Sequence, residues 1–142
     1  ATVVRAAQQL FTNAPNGVTG NDDLGTMSAW YLFSALGLYP AVPGSGEFLL
    51  HTPRFARAEI DLGQGRTLTL KAPGADGRQL QYVQNVQVDG RAHAPVWLDW
   101  AQLQRGGTIA FALGSTAPEN GWGTQAEALP ASFCATPGAV LE

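Results

Sequence analysis

The 142-residue chain has one cysteine, one methionine, two histidines and a single lysine, Lys71. One thiol, Cys134, excludes an internal disulfide and any multi-cysteine metal centre. It lies in the Pro/Ala/Gly-rich end PASFCATPGAVLE, and neither His51 nor His93 forms a Cys–His arrangement with it, so it reads as a tail thiol rather than a nucleophile. The two histidines are expected in surface or turn positions. Charge is sparse as well, at 13% of residues, with 8 basic against 11 acidic side chains. There is no cationic stripe to collect phosphates, which excludes nucleic acid and anionic membrane surfaces as partners. No apolar run approaches the roughly 20 residues needed to cross a bilayer; the longest is broken by Ser34, Gly37 and Pro40. The start at Ala1, without an initiator methionine or signal peptide, reads as processing, a cloned domain or a proteolytic remnant.

What is present is concentrated in one run, Gly20-Asn21-Asp22-Asp23-Leu24-Gly25-Thr26-Met27-Ser28-Ala29-Trp30-Tyr31. Gly17, Gly20 and Gly25 permit left-handed backbone, and Asn21, Asp22 and Asp23 favour turns and helix caps. The run therefore predicts a shaped loop opening into a helix. That helix carries Met27, Trp30, Tyr31, Phe33, Ala35, Leu36 and Leu38 before Gly37 and Pro40 stop it, an apolar pattern expected to be buried almost all round. A carboxylate at a helix N-terminus faces unpaired N–H groups and the positive end of the macrodipole, which favour its ionised form. Such an Asp serves equally as a cap or as a general base, and capping accounts for one Asp more easily than for two.

Before this run, Val3 to Phe11 reads as a short helix. After Pro43 the period changes to alternation. Phe48–Leu50, Ala58–Leu62, Thr67–Ala72, Tyr82–Val88, Val96–Trp100 and Thr108–Leu113 read as strands separated by turns such as Gly63-Gln64-Gly65. The fold class is thus mixed α and β: a helical segment over 1–42 with the Asp-rich loop, an antiparallel β module resembling a sandwich over 43–123, and an irregular tail over 124–142. Trp97, Trp100 and Trp122 are candidates for stacking on sugar faces, but Trp97 and Trp100 lie in a strand-like stretch and are assigned to the core, as Trp30 is to the buried helix, with a place in a sugar pocket wall as its alternative.

The stretch GNDDLGTMSAWYLFSALGLYP, followed in order by Thr52-Pro53-Arg54-Phe55, Asp89-Gly90, Gly106-Gly107 and Trp122-Gly123, resembles the C-terminal signature of the glycoside hydrolase family 92 α-mannosidases over residues 3–123. The resemblance implies a calcium-dependent, inverting exo-α-mannosidase in which a β-sandwich stands beside an (α/α)6 barrel. The helical segment is then the end of that barrel, and Trp122-Gly123 closes the β module. Inverting hydrolysis uses two carboxyl groups, one protonating the leaving oxygen and one activating water on the opposite face. The family pattern puts the base in the Asp-rich motif, making Asp23 the first choice and Asp22 the second, with Asn21 and Trp30 as substrate-binding residues. The family's acid is a Glu well upstream of the motif, and Glu47, Glu59, Glu119, Glu127 and Glu142 sit in no matching context. Calcium takes about six to eight oxygen ligands; Asn21, Asp22 and Asp23 supply one or two at most, so the metal ligands stay unassigned.

The expectation is therefore a glycoside hydrolase fragment that contributes the general-base loop, inactive in isolation, acting on terminal α-mannoside glycans together with the rest of its parent chain. A secreted or periplasmic bacterial location follows from the same resemblance. The alternative is a non-catalytic carbohydrate-binding or structural β module, whose Asp-rich loop is only a cap or a calcium clip.

Overall fold

The computed structural model describes residues 2–76, 78–79 and 81–131 of the chain. Helix α1 (Thr2–Leu10) and helix α2 (Thr26–Leu36) form the N-terminal part. The i, i+3 pair Val4 and Ala7 is the buried side of α1. At the end of α1, Phe11 stacks on Trp30 with ring centroids 5.5 Å apart and lies against Tyr31 at 4.9 Å, which ties the start of α2 to the helix before it.

Helix α2 ends at Leu36, and Leu38, expected on the helix, begins a strand instead. Gly37 adopts left-handed φ of 83° and its N–H donates to the Phe33 and Ser34 carbonyls, a C-terminal cap that a side chain would oppose. A Cβ there would lie 2.8 Å from the His51 carbonyl oxygen and 2.8 Å from Pro53 Cγ. The close approach is needed because His51 N–H donates to the Gly37 carbonyl and Arg54 N–H to the Ala35 carbonyl. The end of the helix is thereby fastened to the segment carrying Thr52-Pro53-Arg54. Burial of α2 differs from the sequence expectation: only Ser34 and Ala35 are fully buried, Trp30, Tyr31 and Phe33 are half-buried, and Leu32 is 58% exposed. An all-round apolar helix needs neighbours on every side, and α1 with the β part covers only some of them.

Among the described residues eight strands follow: β1 (Leu38–Tyr39), β2 (Glu47–Leu50), β3 (Arg57–Gly63), β4 (Arg66–Lys71), β5 (Tyr82–Val88), β6 (Arg91–Ala92), β7 (Trp97–Asp99) and β8 (Gly107–Gly114). They make a three-stranded sheet, β1-β2-β7, and a five-stranded sheet, β3-β4-β8-β5-β6. The six strand segments read from alternation all appear within a residue or two. Two features depart from the reading. Strand β1 lies inside the segment taken as helical, pairing Leu38 with Leu50. And β4 runs parallel to β8, so the larger sheet is mixed rather than antiparallel throughout. Strand β8 is central to it, flanked by β4 and β5, and buries Ile109 and Phe111 almost completely.

One core serves both sheets: Leu38, Leu50 and Leu98 from the smaller join Leu68, Leu70, Val83, Val86, Ile109 and Phe111 from the larger. The alternation in β4 is realised, with Leu68 and Leu70 inside and Thr67 and Lys71 outside. The dipeptides Asp89-Gly90 and Gly106-Gly107, distant in sequence, form one joint. Asp89 accepts the Thr108 N–H at 2.7 Å, and its carboxylate occupies the space a Gly107 side chain would take.

Trp122 is half-buried against the core and donates from Nε1 to the His93 carbonyl at 2.8 Å. Beyond it a 3-10 turn (Ala126–Ala128) buries Ala128, whose carbonyl accepts the Val96 N–H. Trp100 differs from its core assignment. It opens the short helix α3 (Trp100–Leu103), is 53% exposed, and leans on Phe48 at 6.1 Å. Cys134 and Glu142 lie outside the described residues.

His51 leaves β2 at the start of the Thr52-Pro53 segment and is half-buried. Its Nδ1 lies 3.3 Å from the Thr52 carbonyl oxygen, its Nε2 is buried without a partner, and burial pushes the imidazole down from 6.5 to about 4. The unfolded chain takes up a proton near pH 6.5, whereas the fold refuses it until about pH 4. This contribution to stability is therefore complete above pH 6.5 and falls with pH by about 1.4 kcal/mol per unit toward pH 4. Urea unfolding at pH 7, 6 and 5 checks it: His51→Gln flattens the decline, and an unchanged slope would assign the acid sensitivity elsewhere. In the same assay Gly37→Ala is expected to cost roughly 2–3 kcal/mol, combining backbone strain with overlap. The comparator Gly44→Ala has the same left-handed backbone but open space around it, and is expected to cost about 1 kcal/mol.

Candidate functional site

The chemistry-bearing run folds as a tight turn at the N-terminus of α2. Asp22 is half-buried, and its Oδ1 accepts the Ser28 backbone N–H at 2.8 Å. The Ser28 hydroxyl lies 3.1 Å from both carboxylate oxygens. Because Gly25, the residue flanking the helix, supplies no side-chain cap, Asp22 fills that role from further back in the chain.

Asp23 differs in every respect. Its side chain is exposed and makes no hydrogen bond to any described residue, and its φ is 45°, left-handed for a residue with a Cβ. Its carbonyl, rather than its carboxylate, is engaged, accepting from the Thr26 hydroxyl at 2.7 Å and the Thr26 N–H at 3.3 Å. Leu24 follows at φ 60° with its side chain fully in solvent. The two adjacent carboxylates thus divide: one anchors, the other projects.

An open cleft of about 750 Å³ runs beside this turn, between the end of α1, the loop after it and α2. Ser28 stands in its wall next to the Asp22 anchor, together with Phe11, Tyr31 and the arginines Arg54 and Arg78. The Arg54 guanidinium sits 5.6 Å above the Tyr31 ring, so the residue that fastens the end of α2 also reaches back along it to the cleft. Neither arginine forms an ion pair with a described carboxylate; the one described ion pair joins Arg57 and Glu59 on the surface.

Of the residues expected at the site, Asn21, Asp22 and Asp23 are together in the turn, with Asn21 exposed. Trp30 is on α2 but is packed on Phe11 rather than lining the cleft. Ser28 and Arg54 escaped the sequence reading. Ser28 had a signal, since an Asp six residues before a helix Ser is within reach of a first-turn N–H, whereas nothing local marks Arg54.

Among the described residues no group of three or more His, Cys, Asp or Glu side chains converges. Asp22 already spends both carboxylate oxygens on Ser28. The turn alone therefore falls short of the roughly six to eight oxygens a calcium ion takes. Glu47, Glu59, Glu119 and Glu127 are likewise not in the wall of the cleft.

Comparison with known proteins fits this arrangement. Residues 1–115 match the family model described as the glycosyl hydrolase family 92 catalytic domain. An uncharacterized secreted glycosidase of Arthroderma benhamiae is 30% identical over 125 residues, which cover 87% of this chain and 16% of that protein. Among solved structures, a family GH92 α-mannosidase from Bacteroides thetaiotaomicron in complex with mannoimidazole superimposes with a TM-score of 0.85 at 25% identity, over 93% of this chain and 17% of that one. A family GH92 inverting mannosidase from the same organism gives 0.82 at 27% identity, over 92% and 18%. The chain spans about one sixth of the length of these relatives. With the family match running from α1 through the end of β8, the chain belongs to glycosyl hydrolase family 92.

Proposed function

We propose that this chain is the portion of a calcium-dependent, inverting exo-α-mannosidase that carries the general base, with Asp23 as that base and Asp22 as its anchor. The observation that carries the assignment is the division of labour in the turn. A base needs a carboxylate lone pair free for water, and Asp23 alone of the two has no described partner. The reading is also supported by family membership and by relatives described as α-mannosidases, one of them inverting.

In this reading a water molecule attacks the anomeric carbon of a terminal α-mannoside from the face opposite the leaving group and gives its proton to an Asp23 Oδ. The glycosidic C–O bond breaks, and the leaving oxygen takes a proton from a carboxylic acid. The product is β-mannose. That acid stands about 6.5–9.5 Å from the base in inverting enzymes. No described glutamate stands in the wall of the cleft, and the acid is assigned to the rest of the parent polypeptide. The helical segment is read as the end of the parent's barrel, with the half-covered face of α2 turned toward its other helices, and the two sheets as a sandwich packed beside it. Asn21 and Trp30 keep their place as substrate-side residues of the turn and the adjoining wall.

Calcium belongs to the proposal through the family alone; its ligands lie mostly on the parent chain, and no proton transfer assigned above passes through it. An extracytoplasmic location is part of the same reading, supported by the curated relative described as secreted. The second reading, a sugar-binding β module, has one observation in its favour, the exposed Trp100 beside Phe48. It leaves the family match across both helices unused.

Steady-state kinetics of the complete parent enzyme on an α-mannoside test the roles. Asp23→Asn is expected to lower kcat by roughly 10²–10⁴ with little change in KM, because it removes proton acceptance while keeping shape. Asp22→Asn keeps one acceptor for Ser28 and is expected to lose less; a greater loss in Asp22→Asn would reverse the roles. Chelation should abolish turnover and added calcium restore it. The 142-residue chain alone is expected to show no hydrolysis, and normal turnover by it would place the acid within these residues.

A further inference from the structure

Asp23, Leu24 and Gly25 are three successive residues in left-handed backbone, at φ 45°, 60° and 89°. Two of them carry a Cβ, and Leu24 gains nothing from burial, since its side chain is fully exposed. A turn of this kind persists only where its surroundings over-determine it. Here the restraints come from both ends of the turn. Thr26 holds the Asp23 carbonyl through its hydroxyl and N–H, and Met27 N–H donates to the Asp22 carbonyl. Across the turn, Ser28 closes the loop onto the Asp22 side chain with its backbone N–H at 2.8 Å and its hydroxyl at 3.1 Å from each oxygen.

We infer that Ser28 is a positioning residue for the hydrolytic reaction: by gripping both oxygens of Asp22 it fixes the left-handed turn and so sets where the Asp23 carboxylate projects. This rests on the proposed role of Asp23 as base. The backbone N–H of Ser28 would cap the helix whatever its side chain, so the hydroxyl is the part with a separable role. It reaches the second carboxylate oxygen, which the N–H does not, and thereby fixes the rotation of the Asp22 carboxylate as well as its distance. Ser28 also stands in the wall of the cleft, so the anchor and that wall share one residue. Ser28 acts through Asp22 and Asp23 and takes no part in proton transfer itself.

The test uses the complete parent enzyme and an aryl α-mannoside. Ser28→Ala is expected to lower kcat by roughly 10- to 100-fold, the scale of a small misplacement of a catalytic group, with KM within about twofold of wild type. Ser28→Thr, which retains the hydroxyl, should recover most of that loss. Because Ser28 works through Asp22, the Ser28→Ala/Asp22→Ala double variant, in which neither partner of the contact remains, should be scarcely slower than Asp22→Ala alone. A lowered melting temperature with unchanged kcat in Ser28→Ala would make the residue a helix cap only and overturn the inference. Strictly additive losses in the double variant would also overturn it. Should Ser28→Ala not be recovered folded, Ser28→Cys, of similar size with a weak donor, carries the same comparison. Asp23→Asn in the same assay separates the two levels: full activity there sinks the base assignment, whereas an inactive Asp23→Asn beside an unimpaired Ser28→Ala sinks only the role of Ser28.

Discussion

The joint at Gly37 is the constraint on which the rest of the structure depends. Helix α2 arrives there with carbonyls to satisfy, and the segment His51–Arg54 arrives with N–H groups to donate; the two meet only because no side chain intervenes. One consequence is mechanical. The joint fixes the helix that begins with the Asp turn relative to the sheets, so the placement of Asp23 is inherited from a contact a whole helix length away. The other consequence is electrostatic: sealing the joint buries the His51 Nε2 without a partner, and that burial pushes the imidazole down from its ordinary value.

The same logic recurs through the β part. Asp89 and Gly107 close on each other because a carboxylate fills the place of an absent side chain, and Trp122 reaches His93 while Gly123 lies against Val96. Motif residues that look like scattered glycines and aromatics are pairs of surfaces in contact. They keep two sheets and a helix in fixed relation. At the Asp turn the strategy changes from close approach to tethering, with two hydroxyl side chains, Thr26 and Ser28, holding a strained backbone.

Local features were the legible ones. The alternation of Thr67–Ala72 marked a strand and its inward face, and Gly37 marked the end of α2, because period and backbone freedom are properties of short segments; in Tyr82–Val88 the strand was legible but not its face, since a register shift between Val83 and Asn85 buries Val83 and Val86 three residues apart. The parallel pairing of β4 with β8 was not legible, since the two strands are brought together by everything between them. Burial of α2 was overstated for a related reason: its apolar residues report neighbours, and this chain supplies only some of them. At the site, the Asp pair could be found but not divided. The division rests on the φ of Asp23 and on a hydroxyl six residues from Asp22, and neither is visible as a pattern. Trp100 left its expected core place for solvent at the start of a short helix, and His51 lies half-buried beside the Gly37 joint.

In the proposed mechanism Asp23, held out by the Asp22 anchor, activates the attacking water. Azide tests this most directly, because it is a small anionic nucleophile that attacks without surrendering a proton and so replaces both water and base. In the complete parent enzyme, Asp23→Ala should be nearly inactive on an aryl α-mannoside and should regain turnover with added azide, releasing β-mannosyl azide. Asp22→Ala should not be rescued, since its defect is one of position. Rescue of Asp22→Ala with none for Asp23→Ala would contradict the account.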